Sequence, residues 1–140
     1  MQGAKLDNAD LANARLAADL TGASLIGAVL RDANLGADMK NQSMGLMRTV
    51  LKSANLSGAD LQHADLSRAD LEFATLSHAN LTGASLRGAS LGGANLTGAT
   101  VGEADFDDAD LASARLVNPT GLETAKNFAR ARNIDRVLHE

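Results

Sequence analysis

Apolar and polar positions alternate along this chain in short bursts that restart every five residues. In "SGADLQHADLSRADLEFATL", residues 57–76, one phrase of alanine, polar, leucine, polar, small recurs four times without a break. Large apolar centres fall at Leu6, Leu11, Leu16, Leu20, Leu25, Leu30, Leu35 and Met39, then every five residues from Leu56 to Leu116. Of these 21 centres, 18 are leucine, and an alanine stands two residues before every one, from Ala4 to Ala114. Self-similarity at a fixed period marks a repeat architecture.

A spacing of two puts Ala and Leu on the same side of an extended backbone, with the polar residue between them facing out. The pattern resets after five, so the two residues following each Leu must turn the chain. Those slots hold turn formers: Ser57-Gly58, Thr82-Gly83, Gly92-Gly93 and Thr97-Gly98. A helix does not fit, because leucines every five residues would wander around its axis instead of forming a stripe. "LAADL" at 16–20 and "LGADM" at 35–39 are each one residue short and lie 19 residues apart, three fives and one four. A shortened corner recurring once per turn predicts four sides per coil. Ala59, Leu61, Ala64, Leu66, Ala84, Leu86 and Phe106 are then core residues. Each buried Leu contributes roughly 1.5–3 kcal/mol.

"ANLSGADLQHADLSRADL" and "ANLTGASLRGASLGGANLTGA" resemble the pentapeptide-repeat family, whose motif reads A(D/N)LXX, and the resemblance covers residues 4–39 and 54–117. It implies an all-β solenoid, a right-handed quadrilateral β-helix, the hand also expected of parallel crossovers. The repeat body spans 1–117 with an interruption at 40–53, and 118–140 is a separate C-terminal segment.

Within the interruption, "KNQSMGLMRTVLKS", Leu46 and Leu51 keep the later register while Met44 and Thr49 take the alanine slots. Met44, Met47 and Leu51 have helical spacing, so a projecting loop or short helix and a bulged coil are both open. Met44 and Met47 are candidates for an adaptable partner surface. After Pro119, Thr120 with Glu123 fits a capping box, and Leu122, Ala125, Phe128 and Ala129 form one apolar helical face. The sequence therefore predicts a short α-helical cap over the open end of the solenoid, which such an edge needs. The first coil has no comparable cover, so self-association through a terminal coil or the cap is expected; family dimers often meet at the C-terminal end.

Composition removes several function classes. Cysteine is absent, excluding disulfides and thiolate chemistry. The first residues lack the apolar core of an export signal and no run is long enough to span a bilayer, which predicts a cytoplasmic protein without membrane contact. A net charge of −4 argues against direct nucleic-acid binding. His63, His78 and His139 are scattered. Asp60, Asp65 and Asp70 share the slot that Asn80, Ser85, Ser90, Asn95 and Thr100 fill elsewhere, an interchange no catalytic position would tolerate. No nucleophile, base and orienter set, cofactor motif or metal site is present. The chain reads as a non-enzymatic protein-binding or scaffolding module.

An alternative comes from the acidic stretch "EADFDDAD", where Glu103, Asp105, Asp107, Asp108 and Asp110 cluster. The quinolone-resistance members of the resembled family imitate duplex DNA and bind DNA gyrase. Charge fits that poorly: the coils before Asn118 carry 14 acids against nine bases. A duplex as long as the rod, about 25–28 Å for five to six coils, would show about 15 negative charges. Phe73 is an apolar residue at an outward corner, and with Phe128, Glu103, Asp107 and Asp108 it completes the candidate partner surface.

Overall fold

The computed structural model describes residues 1–37 and 48–140. The residue between each Ala and Leu pairs in parallel with its counterpart one turn later, forming four columns. The first face carries Lys5, Ser24, Asn55, Thr75, Asn95, Arg115 and Leu138; the second Asp10, Val29, Asp60, Asn80, Thr100 and Thr120. The third carries Arg15, Asn34, Asp65, Ser85, Asp105 and Lys126; the fourth Asp19, Val50, Asp70, Ser90, Asp110 and Arg132. The chain is thus a four-sided β-helix of six turns and the start of a seventh. Each side contributes one bridging residue, too few for a named strand.

One turn shows how the ladder closes. Leu56 N–H donates to Thr75 C=O at 2.7 Å, and Thr75 N–H returns to Ala54 C=O at 2.9 Å. Ala59 N–H donates to Leu56 C=O at 3.0 Å, closing the corner. Only the third residue of that turn, Gly58, has positive φ (64°), the signature of a type II turn. The bore is lined by alanine and leucine from Leu20 to Leu116, with Ala59, Leu61, Ala64, Leu66, Ala84, Leu86 and Phe106 all buried.

Two sequence expectations are corrected. The first shortened corner is real, since Arg15 and Asp19 bridge on consecutive faces four residues apart. The second is not the repeat at 35–39: the residue stacked on Asp19 is Val50. Asn34 and Val50 occupy consecutive faces although sixteen residues separate them, so the interruption is inserted within one corner. Arg48, Thr49, Val50 and Leu51 are back on the coil, whereas Met39, Met44, Leu46 and Met47 lie outside the described residues. Thr49 is fully buried in an alanine slot, its hydroxyl donating to Leu16 C=O.

The C-terminal cap is not an α-helix. Thr120, Lys126, Arg132 and Leu138 extend the four columns with sides of six residues. Each longer side takes up its extra residue in a 3₁₀ turn, at Leu122–Thr124, Phe128–Arg130 and Ile134–Arg136. Gly121, Asn127 and Asn133 precede these turns with φ of 82°, 55° and 58°, which ends any helical run before it starts. No capping box forms; the Thr124 hydroxyl donates instead to Gly121 C=O at 3.0 Å. A side chain on Gly121 would stand 2.8 Å from Gly102 Cα, so the tail coil sits directly on the one before it. Ala125, Ala131 and Val137 fill the inward slots, the last two of them buried.

Candidate functional site

With the bore filled by hydrocarbon, any function lies on the outside. Most outward polar positions serve the fold. Asp60, Asp65, Asp70 and Asp110 each accept, through one carboxylate oxygen, the N–H two residues ahead, at 2.9–3.2 Å. Asn55, Asn80 and Asn95 do the same at 3.1 Å. These are Asx turns, and they explain why Asp and Asn interchange freely along a column.

The corners are less uniform. His63, Arg68, Phe73 and His78 occupy four consecutive corners of one full turn with φ between 57° and 60°. Left-handed backbone costs an L-residue with a side chain roughly 1–2 kcal/mol. The corners of the following turn are Gly83, Gly88, Gly93 and Gly98. Side-chain atoms of each belt residue lie where a Cβ on the glycine above would stand: both imidazoles, the Phe73 ring and the Arg68 stem. Bulky belt and glycine turn are therefore one packing unit.

Phe73 is the apolar member of that belt. It is 60% exposed, on the edge between the fourth and first faces, where the same corner holds Ser53 one turn below and Gly93 and Ser113 above. Lys52 Nζ stands 5.9 Å from its ring centroid and also pairs with Glu72 at 3.0 Å. An aromatic ring is thus held over a floor of small residues with one cation beside it.

The acidic stretch has a different fate. Asp107, almost fully buried, is clasped by Arg87 at 2.9 Å and by Arg130 of the tail at 3.1 Å. Asp108 pairs with Arg132 at 3.1 Å and Glu103 with Lys126 at 3.7 Å. Asn127 donates to Asp105 at 2.9 Å and Asn133 to Asp110 at 2.7 Å. The Asn133 amide chiefly, helped by Ala112 N–H and by Arg132 and Arg136, holds the Asp110 carboxyl below its usual range despite partial burial. Burial alone would raise Asp105, but Asn127, Asp107 N–H and Arg87 outweigh it and keep that group low too. Phe128 belongs to the same assembly, meeting Phe106 edge-on with centroids 5.4 Å apart. The sequence offers Glu103, Asp107, Asp108 and Phe128 as a partner surface; the structure pairs all three acids with bases of the tail that carries Phe128, burying Asp107 while Glu103 and Asp108 stay exposed.

An open groove of about 450 Å³ follows the edge between the third and fourth faces, lined by Asp65, Ser67, Arg68, Arg87 and Asp107 among others. Among the described residues, no helix is long and apolar enough to cross a membrane. The sequence reading singles out Phe73 and takes His63 and His78 as scattered, so the belt that joins them is new in the structure. Its signal was a turn without corner glycine next to a turn with glycine at every corner.

A family model for pentapeptide repeats, in eight copies, matches residues 1–41, 54–93, 64–101 and 89–118. The chain is a pentapeptide-repeat protein. Members of this family are generally structural or binding modules. The match stops at 118, where the sides lengthen to six residues. Among solved structures, HetL of the cyanobacterium Nostoc sp. strain PCC 7120, a pentapeptide-repeat protein involved in heterocyst differentiation regulation, is 33% identical with a TM-score of 0.54. That similarity covers 99% of this chain but only 60% of HetL. Rfr23 of the cyanobacterium Cyanothece 51142 is 29% identical over 87% of this chain and 91% of its own, with a TM-score of 0.44. QnrB1, a plasmid-mediated fluoroquinolone resistance protein, is 20% identical over 100% of this chain and 89% of its own, with a TM-score of 0.29. No curated protein matches the chain.

Proposed function

We propose that this pentapeptide-repeat protein is a non-enzymatic binding or scaffolding module that meets a protein partner in the cytoplasm through the outside of its β-helix. The observation that carries this reading is Phe73: a bulky apolar ring, mostly exposed, kept at a left-handed corner where glycine would be cheaper. A large apolar ring that covers a neighbouring glycine yet stays mostly exposed at such a corner points to a use outside the fold. Flat polar columns around one aromatic anchor match the anatomy of a binding hot spot. The non-enzymatic part of the reading rests on the outward aspartates Asp60, Asp65, Asp70 and Asp110, each of which commits one oxygen to its own turn.

The test is affinity capture from native lysate with wild type, Phe73→Ala, a deletion of 40–47 that leaves the coil residues from Arg48 onward in place, and Ser113→Ala as control. A partner retained by wild type and the control but lost with Phe73→Ala supports the reading. The same proteins captured equally by all four would sink it.

The alternative, gyrase inhibition by imitation of DNA, is weakened by the pairing of Asp107 with Arg87 and Arg130 and of Asp108 with Arg132. Charge already neutralised within the chain is poorly available to an enzyme's basic groove. A supercoiling assay at rising protein concentration separates the two readings, because only a mimic inhibits.

A further inference from the structure

The first face differs from the other three. Its sides at 22–27, 53–58, 73–78 and 93–98 stack as four successive rows and contain no Lys, Arg, Asp or Glu. Along the same stretch of the rod the other faces carry Asp60, Asp65 and Asp70. Two belt rings frame this face, Phe73 at one edge and His78 at the other, on either side of Thr75. A surface that sheds its charges and keeps aromatic groups has the composition of a protein–protein interface core.

Its hydrogen-bonding groups narrow the partner. Asn55 spends its amide oxygen on Ser57, accepting the backbone N–H at 3.1 Å and the hydroxyl at 2.6 Å. The Asn55 amide NH2 and the Thr75 hydroxyl one row above make no hydrogen bond among the described residues. Place a second copy on the face by a two-fold axis at right angles to the rod, crossing between the Asn55 and Thr75 rows. Asn55 then lies opposite the partner's Thr75, and Thr75 opposite the partner's Asn55, so each free amide donor meets a free hydroxyl.

The edges match in the same register. Lys52 lies opposite the partner's Glu72 and Glu72 opposite the partner's Lys52, so the pair at 3.0 Å within each chain becomes a ring of four alternating charges. The Phe73 ring, which leans toward Gly93, falls between the partner's Ser53 and the partner's Gly22. His78, leaning toward Gly98, falls between the partner's Gly58 and the partner's Gly27. Gly22 and Gly58 have nothing within 4 Å of a would-be Cβ, which leaves room for a ring. An axis on either row itself sets Lys52 on Lys52 or Glu72 on Glu72. One along the rod sets Lys5 on Lys5 and Arg115 on Arg115. The chosen register does bring Lys5 opposite the partner's Arg115 at its two ends, which limits affinity.

We propose that the first face binds the first face of a second copy, giving a two-fold dimer of antiparallel rods registered by Asn55 against Thr75 and Lys52 against Glu72. The inference rests on the reading of Phe73 as an interface residue and names its partner as a second copy. Self-complementary two-fold contacts are the commonest kind in homo-oligomers. Four rows at about 4.8 Å make a contact about 19 Å long and one side wide. That is small for a specific interface, so the dimer is weak and concentration-dependent. The four charges select register more than they add affinity.

Sedimentation velocity over a wide concentration range, on the chain of 140 residues, reads the dimer directly. Wild type should pass from monomer to dimer with no larger species. Thr75→Lys puts a charge into the middle of the face, in a slot that Lys5 and Arg115 fill in other turns, and should abolish the dimer. Ser85→Lys, on the opposite third face, should leave it unchanged. Lys52→Glu and Glu72→Lys should each stay monomeric alone, while their equimolar mixture forms a 1:1 heterodimer. Circular dichroism matching wild type verifies that every variant folds. Wild type that is monomeric at every concentration overturns the dimer but not the reading of Phe73, which falls only if capture from lysate ignores that ring. A dimer that survives Thr75→Lys overturns it too, by placing the contact on another surface, as does a mixture that fails to pair.

Discussion

The ring of Phe73 occupies the space above Gly93: a Cβ on that glycine would lie 2.6 Å from ring atoms Cδ1 and Cε1. Gly58 has the same left-handed backbone, φ 64° against 66°, but nothing lies within 4 Å of its would-be Cβ. The two glycines therefore separate conformational strain from steric conflict. Gly58→Ala should cost roughly 1–2 kcal/mol, the strain alone. Gly93→Ala should cost clearly more, and Phe73→Ala in the same chain should recover the excess. Thermal or urea unfolding of the three variants reads this directly; equal losses at 58 and 93 would place the ring elsewhere.

Thr49 provides a case where restoring the repeat should harm the protein. Elsewhere the alanine of the next side donates its N–H to the preceding leucine carbonyl, as Ala9 does to Leu6 and Ala14 to Leu11. The shortened corner after Leu16 makes no such bond, and the Thr49 hydroxyl supplies the missing donor. Thr49→Ala matches the repeat better yet leaves a partly buried carbonyl without this donor, at a cost of about 1 kcal/mol. Thr49→Val fills the volume and should fare no better, whereas Thr49→Ser should keep most of the stability. Urea midpoints for the three substitutions decide it.

The β-helix could be read from the sequence because its rule is local: one inward pair and one turn per five residues, with a bore too narrow for other choices. The tail obeys the same rule at another period, and its sequence suggests a helix for a physical reason. Leu122, Ala125, Phe128, Ala131, Ile134 and Val137 recur every three residues, close enough to a helical repeat to pass for one over two turns. Gly121, Asn127 and Asn133, spaced by six, were the contrary signal, since left-handed residues at that interval forbid a helix. Pairing of the acids at 103–110 with tail bases could not be read, because it depends on which corner the lengthened sides bring round. The orientation of Phe73 over Gly93 was equally hidden; only the exposed slot was visible.

Adjacent residues 84 and 85 test the inward assignment. Ala84 is buried in the bore, while Ser85 faces out on the third face, its hydroxyl 2.8 Å from that of Ser67. Ala84→Leu must force three extra carbons into a column already filled by Leu66 and Leu86, and overpacking of this kind costs about 1–3 kcal/mol or more. Ser85→Leu loses one exposed hydroxyl contact and should change stability by less than about 0.5 kcal/mol. Melting temperatures that fall equally for both would contradict a hydrocarbon bore.

Acid should release the tail before the rest of the rod. Asp105 and Asp110 hold Asn127 and Asn133, and both carboxyls titrate below their usual value in the folded chain. A depressed folded pKa gives stability that is complete above the unfolded value, near 4 for Asp, and is lost as pH falls through the folded one. Amide protection at Lys126 and Arg132, whose N–H groups bond Ala104 and Ala109 C=O at 2.7 Å, should therefore decline on acidification below about pH 4. The turn built on Thr75, Asn80, Ser85 and Ser90 has no carboxylate among its own four bridging residues and should keep its protection over the same range. Asp110→Asn retains an acceptor for Ala112 N–H but cannot titrate. It should weaken the tail at neutral pH and flatten the acid response at Arg132, as hydrogen exchange corrected for intrinsic rates would record. Loss of protection in tail and central turn together would show that the carboxylates do not anchor the last coil.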